Sequence, residues 1–374
     1  MKSIYKTHLL LCAVFLLAGT LRAEADGQEF NKTITKEYDI SANGTTYLSN
    51  KYGKIDVKTW EKNRVKITVN IVVRTGSESA AQKVFDRINI SFSNGSDYVK
   101  AVTEIEPAKG GWSWSSWVGG DKSDYAINYE VYLPATNNLE ITHRYGDVYC
   151  ASMKGRVKLD VKYVNFQAEG VGENSSVLLG YGNGSIGKAR NLSSDISYSK
   201  LTVEEASNLN ITSKYTQVNV GKAEDLTCTS RYDTYVLGQI QDLKNTGMYD
   251  NFRVASANSI EIASKYTQVK AEKIAKTLVL DLSYGNADTK MGQGFNKVSC
   301  TGNYTNYKIG TPEGSSFLFD GSSTYAGLQY PEGMDIEYNV QKNTSQTVKG
   351  NYGKSPTATI VVKVNYGGAK VYTY

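Results

Sequence analysis

SKYTQV occurs at Ser213–Val218 and again at Ser264–Val269, 51 residues further on, and 51 is three times 17. The tyrosines inside and around the two copies extend the pattern. They fall at Tyr145, Tyr163, Tyr181, Tyr198, Tyr215, Tyr232, Tyr249, Tyr266, Tyr284, Tyr304 and Tyr325, with gaps of 18, 18, 17, 17, 17, 17, 17, 18, 20 and 21. A fixed short period is the signature of a stacked architecture.

With each tyrosine as position 0, apolar residues recur at +3 (Val148, Phe166, Leu201, Val218, Tyr235, Phe252, Val269) and at +5 (Cys150, Ile186, Val203, Val220, Leu237, Val254). Upstream they recur at −4 (Ile141, Leu159, Val177, Ile211, Cys228, Ile262, Leu280, Cys300), while −3 and +4 are mostly polar. Alternation with period two predicts strands with one buried face. The parity slips between 0 and +3, where turn formers cluster: Gly146-Asp147, Gly182-Asn183, Asp233-Thr234, Asp250-Asn251, Gly285-Asn286. A slip of one residue would turn every later side chain to the wrong face, so a corner belongs there.

Each repeat is then strand, corner, strand and return. One repeat cannot bury its own apolar face, but a stack can. At about 3.3 Å per residue a 17-residue coil has a contour of roughly 56 Å, too tight for a roomy barrel and suited to a flattened or triangular β-solenoid with coils about 4.8 Å apart. The predicted fold is all-β: a single-chain β-solenoid (β-helix) with coils of about 17 residues, preceded by an antiparallel β-rich cap with one short helix. The tyrosines form a ladder along one corner. They share parity with the buried −4 and −2 positions, which predicts rings filling a buried corner; an exposed aromatic strip for sugar or peptide is the alternative.

The first 23 residues read as a secretory signal, with Lys2 and Lys6, an apolar run over Leu9–Ala18 and Ala23 or Ala25 as the small residue before cleavage. The run is too short to span a membrane. The expected location is therefore the periplasm or the outer cell surface. Residues 24–135 read as a β-rich capping region that already holds a first coil, SNKYGKIDV at Ser49–Val57, with Tyr52 at position 0. The chain then leaves the repeat through the alternating strand Arg64–Val73, a helix over Ser77–Ile88, and strands near Ile88–Phe92, Tyr98–Ile105 and Tyr125–Leu133; such an excursion would cap one end of a stack. Residues 136–330 are the regular solenoid. Residues 331–374 are C-terminal coils and cap, in which Ile360, Val362 and Val371 return to register around Tyr366.

The chain carries 42 Lys and Arg against 37 Asp and Glu, a formal +5 that falls to +2 once Lys2, Lys6 and Arg22 leave with the signal. No run of clustered Lys and Arg forms a basic stripe in the sequence, so no nucleic-acid partner is expected. Three cysteines remain, Cys150, Cys228 and Cys300, an odd number. Cys228 and Cys300 share position −4 but stand four coils apart, roughly 19 Å, beyond disulfide reach; all three read as small core residues.

Catalytic constellations are missing from the sequence. A glycan-cleaving β-helix needs carboxylates converging on one groove. Here acids scatter over coil exteriors, and the nearest approach is Glu204-Glu205 with Glu224-Asp225 in adjacent coils, which could meet over a cation or stand as solvated corner charge. His143 is alone in the mature chain, and there is no HExxH, phosphate loop or dinucleotide fingerprint. The expectation is a non-enzyme without metal or cofactor. The residues that suggest recognition are Trp112, Trp114 and Trp117 in GGWSWSSWVGG, Gly110–Gly120. Large aromatics between paired glycines suit contact with a sugar or a partner surface; equally, the loop could fold back and plug the solenoid end.

KYGKIDV, the tryptophan-rich loop, YEVYLP at Tyr129–Pro134, NLEITHRYGDVYC at Asn138–Cys150 and the repeated strand pairs together resemble a family of secreted proteins of Bacteroidetes-type bacteria, a domain of unknown function whose members are labelled putative adhesins. The resemblance spans nearly all of the mature chain. It implies a β-solenoid on the cell envelope and supplies no catalytic residues. The functional expectation is a secreted, envelope-associated, non-catalytic adhesin or binding scaffold whose partner is a glycan or a host or envelope protein. A carbohydrate-active β-helix enzyme and a periplasmic structural or signalling partner protein are the alternatives.

Overall fold

The computed structural model describes residues 27–107 and 124–374. They divide into two compact units: the described parts of Met1–Lys32, Ile71–Asn89 and Ile105–Ala126, and the larger Thr33–Asn70, Ile90–Glu104 and Ile127–Tyr374. The predicted signal and the tryptophan loop fall outside the described residues. Among those described, no helix is long and apolar enough to cross a membrane.

In the smaller unit the predicted helix runs from Glu78 to Phe85. Ser77 caps it, its hydroxyl accepting from the Ala80 amide at 3.3 Å, and the helix buries Ala81, Val84 and Phe85. Here Ser77 satisfies one of the amides that a helix start leaves without a partner.

The larger unit is a β-solenoid. Asn183–Ser197, Lys200–Lys214, Gln217–Arg231, Thr234–Met248, Asn251–Lys265 and Gln268–Ser283 each follow nearly a whole coil and pair in parallel with the next. The register steps by one repeat, so like sits on like: Val203 on Val220, Leu209 on Leu226, Ile211 on Cys228. The core is built from these rows, with +3, +5, −6, −4 and −2 side chains turned inward and buried. Cys150, Cys228 and Cys300 are free thiols in it. Burial pushes the Cys150 and Cys228 thiols up to about 12, far from a reactive thiolate.

The first coil predicted from Tyr52 is present. Thr45–Trp60 pairs in parallel with Asn138–Cys150, placing Ile55 on Val148. It also pairs in parallel with Tyr98–Ile105 and with Asp124–Pro134, so the returning excursion adds strands to the stack.

The other end departs from chain order. Ala358–Thr373 pairs in parallel with Lys297–Asn303 and Asn306–Thr311, and also with Phe317–Gln329. The last strand is therefore wedged between the coil of Tyr304 and that of Tyr325. Beyond Phe317–Gln329 the chain turns antiparallel, through Ser345–Tyr352 and then Asp335–Lys342.

The long tyrosine gaps have one cause. The added residues loop out at 292–296 and 312–316, on the return side of the coil, and leave the tyrosine corner unchanged. An alanine inserted after Gly294 should thus cost only about 0.5 to 1 kcal/mol. One inserted after Tyr232 should cost on the order of 3 kcal/mol or more, because it turns a coil's side chains to the wrong face. Urea denaturation of the two variants checks this; equal losses would refute it.

Candidate functional site

The predicted ladder exists and is longer than the sequence suggested. Thirteen tyrosines stack in the order 52, 145, 163, 181, 198, 215, 232, 249, 266, 284, 304, 366, 325. Centroids are 4.6–5.4 Å apart and rings tilt by 2–18° between neighbours.

The expectation of a buried ladder is corrected. From Tyr145 to Tyr366 the rings are 37–58 % exposed. The reason lies in the backbone. All thirteen tyrosines have φ between 51° and 63°, the left-handed region. A single left-handed residue within a strand reverses the alternation, so 0 faces out while both −2 and +1 face in. Parity counted from the upstream strand fails at that residue.

That conformation costs a non-glycine residue roughly 1–2 kcal/mol. Each inner ring has two stacking partners, one contact per ring, worth about 0.5–1.5 kcal/mol beyond area burial. Stacking therefore offsets most of the strain, which glycine would avoid only by giving up the ladder.

Hydrogen bonding explains the residue that follows. Across the corner the tyrosine amide donates to the next coil, Tyr198 to the Lys214 carbonyl at 3.0 Å and Tyr232 to that of Met248 at 3.1 Å. The +2 amide donates back, Gln217 to the Ser199 carbonyl at 3.1 Å. The +1 amide falls between these and points inward, where an unpaired donor is costly. The +1 side chain of the next coil accepts it: Gly182 N donates to Ser199 Oγ at 3.1 Å, Thr216 N to Asp233 Oδ1 at 2.6 Å, Asp233 N to Asp250 Oδ1 at 2.9 Å, and Asp250 N to Thr267 Oγ1 at 3.3 Å.

A buried polar spine thus runs beneath the ladder. Asp233 also accepts from Ser213 Oγ at 2.7 Å, Asp250 from Ser230 Oγ at 2.8 Å, and Ser213 shares a hydrogen bond with Tyr235 OH at 2.5 Å. Burial raises both carboxyls, Asp250 to about 6, against hydrogen bonds that pull the other way. Near the first coil +1 is glycine, since a Cβ on Gly146 would collide with the Gly53 carbonyl oxygen. There His143, fully buried at −2, places its ring nitrogens 3.1 Å from the Asn50 carbonyl and 3.0 Å from that of Gly53. Burial holds its pKa below the ordinary value, opposed by those carbonyls.

Two rows flank the ladder. At −1 stand Lys51, Arg144, Lys162, Lys214, Arg231 and Lys265; at +2 stand Lys54 and Lys200 against one acid, Asp147. Arg144 pairs with Asp160 at 2.7 Å and Lys54 with Asp56 at 3.5 Å; the other six have no carboxylate partner among the described residues. Lys51, Lys162, Lys214 and Arg231 lie 4.8–5.4 Å from ladder ring centroids. The sequence shows no basic stripe because these cations are a coil apart along the chain; stacking gathers them.

Of the other candidates, Glu205 lies between Lys188 (3.7 Å) and Lys222 (3.5 Å) of the adjacent coils, a cross-coil ion-pair row rather than a carboxylate pair with Glu224. Trp112, Trp114 and Trp117 lie outside the described residues.

No family model matches the chain, and no curated protein matches it. Among solved structures it is similar to a "putative adhesin" of Parabacteroides merdae (12 % identity, TM-score 0.28, covering 92 % of this chain and 96 % of that one). It is also similar to a "putative adhesin" of Parabacteroides distasonis (10 %, TM-score 0.26, 93 % and 98 %) and to a "putative cell adhesion protein" of Clostridium sporogenes (8 %, TM-score 0.20, 92 % and 100 %).

The left-handed corner implies an inverted preference at Tyr232. Tyr232→Val should be less stable than Tyr232→Gly by about 1–2 kcal/mol, although valine is the better strand former; thermal melts that rank them the other way would refute the strain argument. The raised carboxyl gives a pH signature. With a folded pKa of about 6 for Asp250 against about 3.9 unfolded, its stabilising contribution is full below pH ~4 and is lost as pH rises through ~6. Asp250→Asn should therefore melt higher than the wild type at pH 7.5, by on the order of 1–2 kcal/mol after allowance for screening, and the advantage should vanish toward pH 4. An advantage that does not change with pH would mean that this carboxyl does not titrate.

Proposed function

We propose that this chain is an exported, envelope-associated, non-catalytic binding scaffold of adhesin type, and that the tyrosine ladder is its recognition strip. The uninterrupted exposure of twelve of the thirteen stacked tyrosines, from Tyr145 to the far end of the ladder, carries the reading. Exposed aromatic area of this extent is far more than a monomer surface needs and is typical of contact surfaces. The stack could form with glycine or asparagine at the left-handed corner without strain, so tyrosine at every one of these corners favours a use for the ring.

A carbohydrate-cleaving reading draws less support. Asp233 and Asp250 are buried under the corner, and exterior acids such as Glu205, Glu261, Glu272 and Asp288 are paired with lysines of their own or neighbouring coils. Export rests on the predicted signal. The tryptophan loop is a second candidate contact.

The test is a glycan and matrix-protein array probed with the wild type and with Tyr215→Asn/Tyr232→Asn/Tyr249→Asn. Asparagine tolerates the left-handed corner, so the variant should stay folded by circular dichroism and lose at least about tenfold in binding, about 1.4 kcal/mol. Unchanged binding would sink the ladder as the recognition strip. Loss confined to Trp112→Ala/Trp114→Ala/Trp117→Ala would move recognition to that loop.

A further inference from the structure

We propose that the ladder and its two flanking rows bind a linear acidic polysaccharide, one bearing carboxylate or sulfate groups, laid along the corner. This rests on the ladder being a recognition strip and adds the chemistry of what it recognises.

The first argument is charge. Eight cations less one carboxylate give the two rows a net +7, while the whole chain carries only +5. The rest of the molecule is therefore slightly acidic, and the positive charge is concentrated beside the rings. Six of the eight cations have no carboxylate partner among the described residues. Across the two rows the unpaired cations recur every one or two coils, which suits a polymer whose negative charges also repeat.

The second argument is ring geometry. With neighbours at 4.6–5.4 Å and nearly parallel, each inner ring has both faces covered. Nucleic-acid bases and neutral sugars that bind by lying on aromatic faces find no free face along the strip. What it presents is ring edges and phenol hydroxyls, which both donate and accept hydrogen bonds. Beside them the +2 row supplies amides from Asn165, Asn183, Gln217, Asn251 and Gln268. Phenols, amides and cations together match a hydroxyl-rich, negatively charged chain.

The third argument is period and length. An extended polypeptide advances about 3.3 Å per residue and falls out of step with the rings. A sugar ring is comparable in size to a phenol ring, so a stiff glycan can advance one residue per coil. Thirteen coils at about 4.8 Å make a strip of roughly 60 Å, long enough for many weak contacts to add. A single exposed ion pair contributes only about 0.2–1 kcal/mol, so affinity must come from multiplicity.

The test measures binding of the full chain to polygalacturonate, its methyl ester, dextran sulfate and a poly(dT) oligonucleotide, beside Lys214→Gln/Arg231→Gln/Lys265→Gln checked for an unchanged melt. The wild type should bind polygalacturonate or dextran sulfate, and which of the two identifies the acid. Binding should weaken roughly tenfold to a hundredfold between 50 and 200 mM salt. The ester should bind at least about tenfold more weakly, and the triple variant should lose about tenfold and show a shallower salt dependence. Equal binding of the ester, preference for poly(dT), an unaffected triple variant, or no binding to either acidic polymer each overturns the proposal. In the last case, an array signal that still depends on Tyr215, Tyr232 and Tyr249 leaves the ladder as the recognition strip and removes only the acidic ligand.

Discussion

Everything in the larger unit depends on one backbone conformation repeated at the same place in every coil, the left-handed tyrosine. It turns the chain through the corner with the parallel hydrogen bonds continuing on either side of it. It reverses side-chain parity so that the strands before and after it both face one core. It also leaves the +1 amide pointing inward with no ladder partner. The ring outside, and in the coils from Tyr198 to Tyr266 the small polar side chain inside, follow from that one choice. Stacking compensates the strain on the outer side, and in four coils, at Gly182, Thr216, Asp233 and Asp250, a serine, threonine or aspartate from the next coil caps the amide on the inner side.

The solenoid itself was legible in the sequence because stacking demands repetition. Tyrosines 17 residues apart, with apolar residues at +3, +5 and −4, leave little choice of architecture, and the same arithmetic placed Cys228 and Cys300 too far apart to pair. Tyr52 was legible as an early coil for the same reason. What the pattern could not carry was the sign of φ at the tyrosine. Counting parity from −4 and −2 presumes an extended residue at 0, and one left-handed residue inverts the answer, so the rings moved from the core to the surface. The place of the last strand was hidden differently. Register around Tyr366 shows that the segment forms a coil, but a coil of the right register fits any open edge. The exposed neighbours decide which, and here the strand enters between the coils of Tyr304 and Tyr325.

The flanking charges show the same limit from another side. Lys214 and Arg231, or Arg231 and Lys265, are unremarkable along the chain, where a basic site is read from local density. In a solenoid the relevant neighbour is one repeat away, so density must be counted down the columns. Counted that way, the −1 column is mostly basic over the coils from Tyr52 to Tyr266, whereas Glu205 is neutralised by Lys188 and Lys222 of the coils on either side and Glu272 by Lys270 of its own coil and Lys290 of the next. One column of a stack can thus be self-paired while another is left open, and the open one is the one beside the rings.

The two buried aspartates are the least economical part of the stack. A hydroxyl is enough to cap a +1 amide, as Ser199 and Thr267 show, and a buried carboxylate must be desolvated to do the same work. Asp233 and Asp250 nevertheless occupy adjacent coils, each capping the coil before it, with Ser213 and Ser230 donating to their second oxygens. Here two large aromatics also meet in the core: Tyr235 and Phe252 stack at +3 with centroids 4.8 Å apart, and the Tyr235 hydroxyl reaches Ser213. A threonine at +1 would cap the amide, but it has no second oxygen for Ser213 or Ser230. Large aromatics at +3, serines at −2 and carboxylates at +1 therefore form one self-consistent set. Replacing a carboxyl by a hydroxyl leaves Ser213 or Ser230 with a donor turned into a dry interior, which accounts for the aspartates occurring where those serines stand beside them.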